Sequence, residues 1–231
     1  MQRNDPAQYD ALADEWWRGQ GGFAALHWLA ASRAEHVPPA TGPGALLVDL
    51  ACGGGLMAPH VARLGYRHVG VDLGAAGLRV AREHGVTPVR GSVLAVPLAD
   101  RCADVVVAGE VLEHVADDTL VIAECARLLK PGGTLVIDAL ADTRLCALLM
   151  VTIGEHVPGG PPPGIHDPAL FVDRRRLLAA ADAAGLDLRL VGLRPSVRDL
   201  LAWRRGRRDV VRMLPTRSTA VVFAGYGTRR P

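Results

Sequence analysis

The sequence predicts an α/β fold: a parallel sheet with helices on both faces. Three observations carry this. From residue 45 onward, apolar runs of strand length alternate with helix-length segments, the pattern of βαβ units. The first of these strands runs directly into a glycine-rich turn that opens a helix, Val48-Asp49-Leu50-Ala51-Cys52-Gly53-Gly54-Gly55. The composition, 49% apolar and 22% charged over 231 residues, is that of an ordinary soluble globular chain.

Taken in order, residues 5–36 read as helical, with Leu12 and Trp16 four apart on one face. A proline/glycine break follows at 38–44. Strands are expected at 46–50, 68–71, 88–90, 104–108 and 134–138, with helices at 57–64, 75–84, 111–117 and 120–129. After Asp138 the alternation stops. An apolar stretch at 145–154 precedes a proline/glycine loop at 158–164, and a helix at 174–184 ends at Gly185, a residue suited to a left-handed cap. Strands at 186–193 and 219–224 flank an arginine-rich helix at 197–213. The length fits one domain: an N-terminal helical cap (1–44), a cofactor-binding core (45–140), a lid or acceptor insertion (141–172) and closing helices and strands (173–231).

The net charge of +2 argues against a protein that wraps nucleic acid. Lys130 is the sole lysine among 26 basic residues, which fits a GC-rich genome. Residues 1–10 show no secretory pattern, and the stretch 145–154 is about half of the roughly 20 residues that a spanning helix needs. Cys52, Cys102, Cys125 and Cys146 form no CxxC pair and no zinc-type spacing, so free thiols in a cytoplasmic chain are expected. Nothing in the sequence signals an oligomeric state.

Glycines after a first strand let the backbone approach a ligand closely. Residues 53–58 also satisfy a loose GxGxxA, which alone is a weak dinucleotide signal. Asp72 ends the second strand and is placed to accept from both hydroxyls of a ribose. Asp49, just before the glycines, decides between two cofactors. A carboxylate there repels a pyrophosphate and attracts an ammonium, so it favours S-adenosylmethionine over a nicotinamide dinucleotide.

Four landmarks then resemble the class I S-adenosylmethionine-dependent methyltransferases: VDLACGGG, GVD at 70–72, Asp104-Val-Val-Val-Ala-Gly-Glu110, and Leu129-Lys-Pro-Gly-Gly133. More narrowly, the chain resembles the ubiquinone-biosynthesis O-methyltransferases in the stretch from Tyr9 to Trp17, Ala25-Leu-His-Trp28 with Arg33, Cys52 to Leu56, Glu110-Val-Leu-Glu-His114 and Gly164-Ile-His-Asp167. The resemblance implies a Rossmann-like, seven-stranded sheet with an antiparallel last strand. It places Arg33 on the methionine carboxylate, Ala51, Gly53 and Gly55 under the methionine and ribose, and Asp72 with Leu73 at the ribose. Gly109 falls at the sulfonium end, and Ser92 and Val93 at the adenine. Ala51 and Ser92 depart from the common pattern, where glycine and aspartate are usual.

Glu110, Glu113 and His114 stand at i, i+3 and i+4, one face of a helical turn at the carboxyl edge of the sheet. Methylating a phenol needs a base or a cation that favours the phenolate. The resemblance implies a magnesium-type divalent cation on these three; the alternative is a capped helix start with a packed histidine. His166 is a second candidate base. The insertion, by the same resemblance, covers the acceptor and touches membrane or a prenyl tail. Trp16, Trp17, Phe23 and Trp28 are candidate walls for an aromatic acceptor, and the eight arginines between 194 and 217 are either a contact for anionic lipid or a solvated face. The function expected is O-methylation of a phenolic or catecholic small molecule. C- or N-methylation is the nearer alternative and a nicotinamide oxidoreductase the more distant one.

Overall fold

The computed structural model describes residues 3–5, 7–157 and 160–231. Met1, Gln2 and Pro6 of the opening segment, and Pro158 and Gly159 of the proline/glycine loop, lie outside the described residues. The opening holds α1 (Ala7–Ala11), a 3-10 turn at Ala13–Glu15 and α2 (Ala24–Ala34), so the helical cap is broken rather than continuous.

Then come β1 (Leu46–Leu50), α3 (Ala58–Val61), β2 (Arg67–Asp72), α4 (Ala75–Glu83), β3 (Thr87–Arg90) and β4 (Ala103–Gly109). A 3-10 turn at Leu112–His114 leads to α5 (Asp118–Leu128) and the long β5 (Leu129–Leu140). The insertion holds α6 (Arg144–Cys146), which runs into a π-helical stretch, Ala147–Ile153. Last are α7 (Arg174–Ala183), β6 (Leu186–Pro195), α8 (Val197–Arg204), β7 (Met213–Thr216) and β8 (Val222–Arg229).

The sheet order is β3-β2-β1-β4-β5-β8-β6-β7. Strands β1 to β5 pair in parallel, and β8 runs antiparallel between β5 and β6. Interior strands are buried on both faces, which is why β1 and β4 read as apolar runs, each interrupted by a single aspartate. Val48, Leu50, Val106 and Ala108 face one core with α5 and α7, while Leu47, Val105 and Val107 face a second with Trp16, Phe23 and α2.

Three expectations are corrected. The sheet has eight strands, not seven, because the arginine-rich helix stops at Arg204. Gly206 turns the chain with φ 64°, and β7 adds to the edge, where Pro215 is tolerated. Two of the cluster's arginines, Arg208 and Arg212, fold back onto the buried Asp199 at 2.9 and 2.6 Å. The helix expected at 57–64 is a single turn, and that at 111–117 is only the 3-10 turn.

The glycine turn is shaped by the cap as much as by any ligand. A β-carbon on Gly53 would run into the ring of Trp16, and one on Gly54 would lie 2.6 Å from its Cγ. Trp17 Nε1 donates to Gly54 O at 3.0 Å. Gly54→Ala should therefore overpack this contact and cost about 1–3 kcal/mol, read as a lower Tm. In a double-mutant cycle with Trp16→Ala the two losses should fall well short of additive.

Candidate active site

The carboxyl edge of β1, β2 and β4 opens into a cavity of about 460 Å³. Its walls include Arg33, Asp49, Ala51, Gly53, Asp72, Leu73, Val93 and Gly109 from the residues singled out for a cofactor, together with Glu110, His114 and His166. Gly55, Ser92 and Glu113 do not line it. Gly55 instead faces Ala81 and Val86 of the α4 side, and Ser92 Oγ accepts from Leu94 N at 3.1 Å. Trp16, Phe23 and Trp28 are wall residues; Trp17 stacks on His84 outside.

Asp72 is held by two backbone donors, Gly53 N and Gly74 N, each at 2.8 Å. Its pKa is raised, burial outweighing those two bonds. Asp10 of the cap lies beside it and accepts from Ala76 N at 3.1 Å, at the start of α4.

Arg33 is buried on α2 and grips Asp138 of β5 with both prongs, Nε to Oδ2 at 2.8 Å and Nη2 to Oδ1 at 2.9 Å. Burial opposes its charge, but the Asp138 carboxylate more than compensates and its pKa rises. The guanidinium packs where a β-carbon on residue 109 would stand, so Gly109 is a floor for Arg33 as well. Asp138 also accepts from Glu110 N at 2.9 Å. It was not among the sequence candidates, although an acid at the carboxyl end of a central strand is the signal that marked Asp72.

Glu110 sits in the left-handed region, φ 50°, a strained setting for a residue with a side chain. Burial first, then the charges of Glu113 and Asp138, push its pKa up. His114 is locked between two cap residues. Asn4 Nδ2 donates to His114 O at 2.9 Å, which orients the amide so that its Oδ1 faces His114 Nδ1 at 2.6 Å. The proton is therefore on Nδ1, and Nε2 accepts from the Tyr9 hydroxyl at 3.1 Å. Burial, then neighbouring His166, lowers His114 to about 3. The two rings stack at 5.7 Å.

His166 is lowered to about 4, mainly by burial. Its Nδ1 lies 3.6 Å from Glu155, too far for a hydrogen bond. Glu155 is itself buried, and accepts from Gly164 N, His166 N and Arg3.

The cation set does not assemble. Glu110 lies before the 3-10 turn, in a left-handed conformation, so the three residues are not on one helix and their spacing does not give them a shared face. Glu113 is fully buried away from the cavity, and both His114 nitrogens have partners. Among the described residues no group of three or more His, Cys, Asp or Glu is placed to hold a metal ion.

Residues 48–137 match the methyltransferase domain family. The ubiquinone biosynthesis O-methyltransferase of Sodalis glossinidius is 34% identical, over 94% of this chain and 91% of that protein. That of Idiomarina loihiensis is 36% identical, over 81% of each. The chain belongs to the ubiquinone biosynthesis O-methyltransferase family. It is an S-adenosylmethionine-dependent methyltransferase, and the nicotinamide alternative falls. The fold is shared with a SAM-dependent methyltransferase from Thermotoga maritima, at TM-score 0.69 and 18% identity, covering 96% of this chain and 98% of that one. A TehB-like SAM-dependent methyltransferase from Corynebacterium glutamicum matches at TM-score 0.62 and 18% identity, over 98% of this chain and all of that one.

Two outcomes follow from this geometry. Asp138→Asn leaves Arg33 without a counter-charge and should weaken S-adenosylmethionine binding by about tenfold, read by calorimetry, with little effect on acceptor KM. His166 and His114 are held neutral in the fold while the unfolded chain protonates them near the ordinary 6.5. Stability is then complete above 6.5 and lost as pH falls toward 4. For His166 the loss is about 3 kcal/mol. Tm should drop across that window, and His166→Gln should flatten the drop.

Proposed function

We propose that this enzyme methylates a phenolic or catecholic hydroxyl on an aromatic ring that carries an apolar tail. The observation that carries this reading is the apolar part of the cavity wall. It is built from Leu29 of α2, Met150 of the insertion, Met213 of β7 and Val222 of β8, with Pro161 and Ile165 of the loop, and offers a long chain apolar contact. The names of the relatives, ubiquinone biosynthesis O-methyltransferase, support the same class.

S-adenosylmethionine supplies an electrophilic methyl on a sulfonium. Asp72 is proposed to hold the ribose hydroxyls, Arg33 the methionine carboxylate, and Ala51 and Gly53 to let the backbone pass close beneath. Leu73 and Val93 would flank the nucleoside. Holding the acceptor oxygen in line with methyl and sulfur does much of the work. As the new O–CH₃ bond forms and the S–CH₃ bond breaks, the phenolic proton passes to His114 Nε2. A base lowered to about 3 suffices, because an oxygen that is gaining a methyl becomes strongly acidic. Glu110, raised by burial, is the other acid/base group on the wall. His166 supports the His114 ring by stacking. The magnesium-type cation expected from the resemblance has no complete ligand set here, and no step is assigned to it.

A peripheral membrane contact fits the same reading. Leu145, Leu148, Leu149 and Ile153 are exposed along one side of the insertion helix, a face suited to lying on lipid. No helix among the described residues is long and apolar enough to cross a membrane.

Asp72→Ala should abolish measurable S-adenosylmethionine binding; wild-type affinity would refute the site. His114→Gln should lower kcat on a catechol about 10²- to 10⁴-fold with S-adenosylmethionine affinity unchanged. Turnover should survive a chelator. Loss in chelator with recovery in magnesium would transfer phenolate formation to Glu110 and Glu113.

A further inference from the structure

The base of this cavity already has a phenol on it. Tyr9 stands in the wall with its hydroxyl 3.1 Å from His114 Nε2. Asn4 fixes the proton on Nδ1, so Nε2 offers a single lone pair, and Tyr9 uses it. A second hydroxyl cannot bond to that nitrogen until Tyr9 leaves. The Tyr9 ring occupies an aromatic slot, stacked at 6.1 Å on Trp16 and 6.0 Å on Phe23, and meets His114 edge-on at 5.8 Å. A hydroxylated aromatic ring held between aromatic walls and a neutral imidazole is the chemistry proposed above for the acceptor.

The segment that carries Tyr9 is fastened to the site itself. Asn4 and Tyr9 bind His114, Asn4 N donates to Gly164 O in the loop of the insertion, and Arg3 reaches Glu155. Asp10 bonds to the first turn of α4, beside Asp72. Moving this strap therefore frees the base, the acceptor slot and the ribose corner together.

We propose that the Tyr9 phenol holds the acceptor's place on His114, so that the cap segment carrying Asn4 and Tyr9 acts as an internal competitor which an aromatic hydroxyl displaces. The inference rests on the methylation reading for its meaning, but not for the contact it describes. A competitor of this kind reduces apparent affinity by the fraction of molecules in which it is seated. It also keeps Nε2 satisfied while the cavity is without acceptor. Burial, and the charges of Glu113, Glu110 and Asp72, disfavour the tyrosinate, which sets Tyr9 apart from a proton carrier that must pass through its anion.

The test uses the full-length protein saturated with S-adenosylhomocysteine, with catechol and 4-propylphenol as probes, and the variant Tyr9→Phe, which keeps the ring and removes the hydroxyl. Calorimetry should show both probes binding about three- to tenfold tighter to the variant, the range expected for losing one competing hydrogen bond. S-adenosylhomocysteine affinity should be unchanged. The acceptor KM should fall to match, with kcat not reduced. The ¹⁵N shift of His114 Nε2 should move in the variant and return toward its wild-type value when catechol binds.

A tenfold or greater fall in kcat with unchanged probe affinity would make Tyr9 a relay and overturn the proposal. No change in either would make the contact mere packing, and overturn it too. Tighter probe binding with no methylated product from a panel of phenols would sink the methylation reading and leave the displacement standing.

Discussion

One buried carboxylate organises this site. Asp138, near the carboxyl end of β5, takes both prongs of Arg33 and the amide of Glu110. An unpaired arginine at this depth would cost several kcal/mol, so the pair fixes α2 against the sheet. The same carboxylate draws the chain after β4 into the left-handed turn at Glu110. That turn directs the next residues into a 3-10 turn instead of a helix, and the 3-10 turn sets His114 toward the cavity while Glu113 goes into the core. The position of the base is thus tied to where one acid falls along a strand.

Local pattern made most of the fold legible. Strand-length apolar runs, the glycine turn after β1 and Asp72 after β2 are all properties of neighbouring residues. The two helices that came out short, and the eighth strand, show where local pattern stops being enough. Residues 197–213 carry helix-friendly arginines, but Gly206 breaks the run and a buried Asp199 pulls Arg208 and Arg212 back. Helical spacing in Glu110, Glu113 and His114 misled for the same reason: spacing means a shared face only if the segment is an α-helix.

The partners of the site were hidden because they come from far along the chain. Asn4 and Tyr9 lie more than a hundred residues before the His114 they hold, and Asp138 lies 105 residues after Arg33. No periodicity encodes such contacts. They arise where elements cross, at the carboxyl edge of the sheet, under a cap whose own sequence announces only aromatic packing. Trp16 belongs to that packing, and two of the three glycines in the turn owe their lack of a side chain to it.

Charge explains why this edge suits a sulfonium. Of the cavity's described wall residues, Asp10, Asp49 and Asp72 are acids, Glu110 is a fourth that burial holds toward its neutral form, and Arg33 is the one permanent cation. Arg33 is already paired with Asp138, so it neutralises little beyond it. A pyrophosphate would meet net negative charge in a poorly screened space, where repulsion between like charges is strongest. S-adenosylmethionine carries an ammonium and a sulfonium against one carboxylate, a net positive ligand, and in the site proposed above the surplus aspartates would attract it. Once the methyl has left, the sulfur is neutral and that attraction weakens. In that proposed site the acids that draw the donor in would also loosen the hold on its product, and the two histidines, whose pKa values burial lowers, would add no positive charge to oppose the first step.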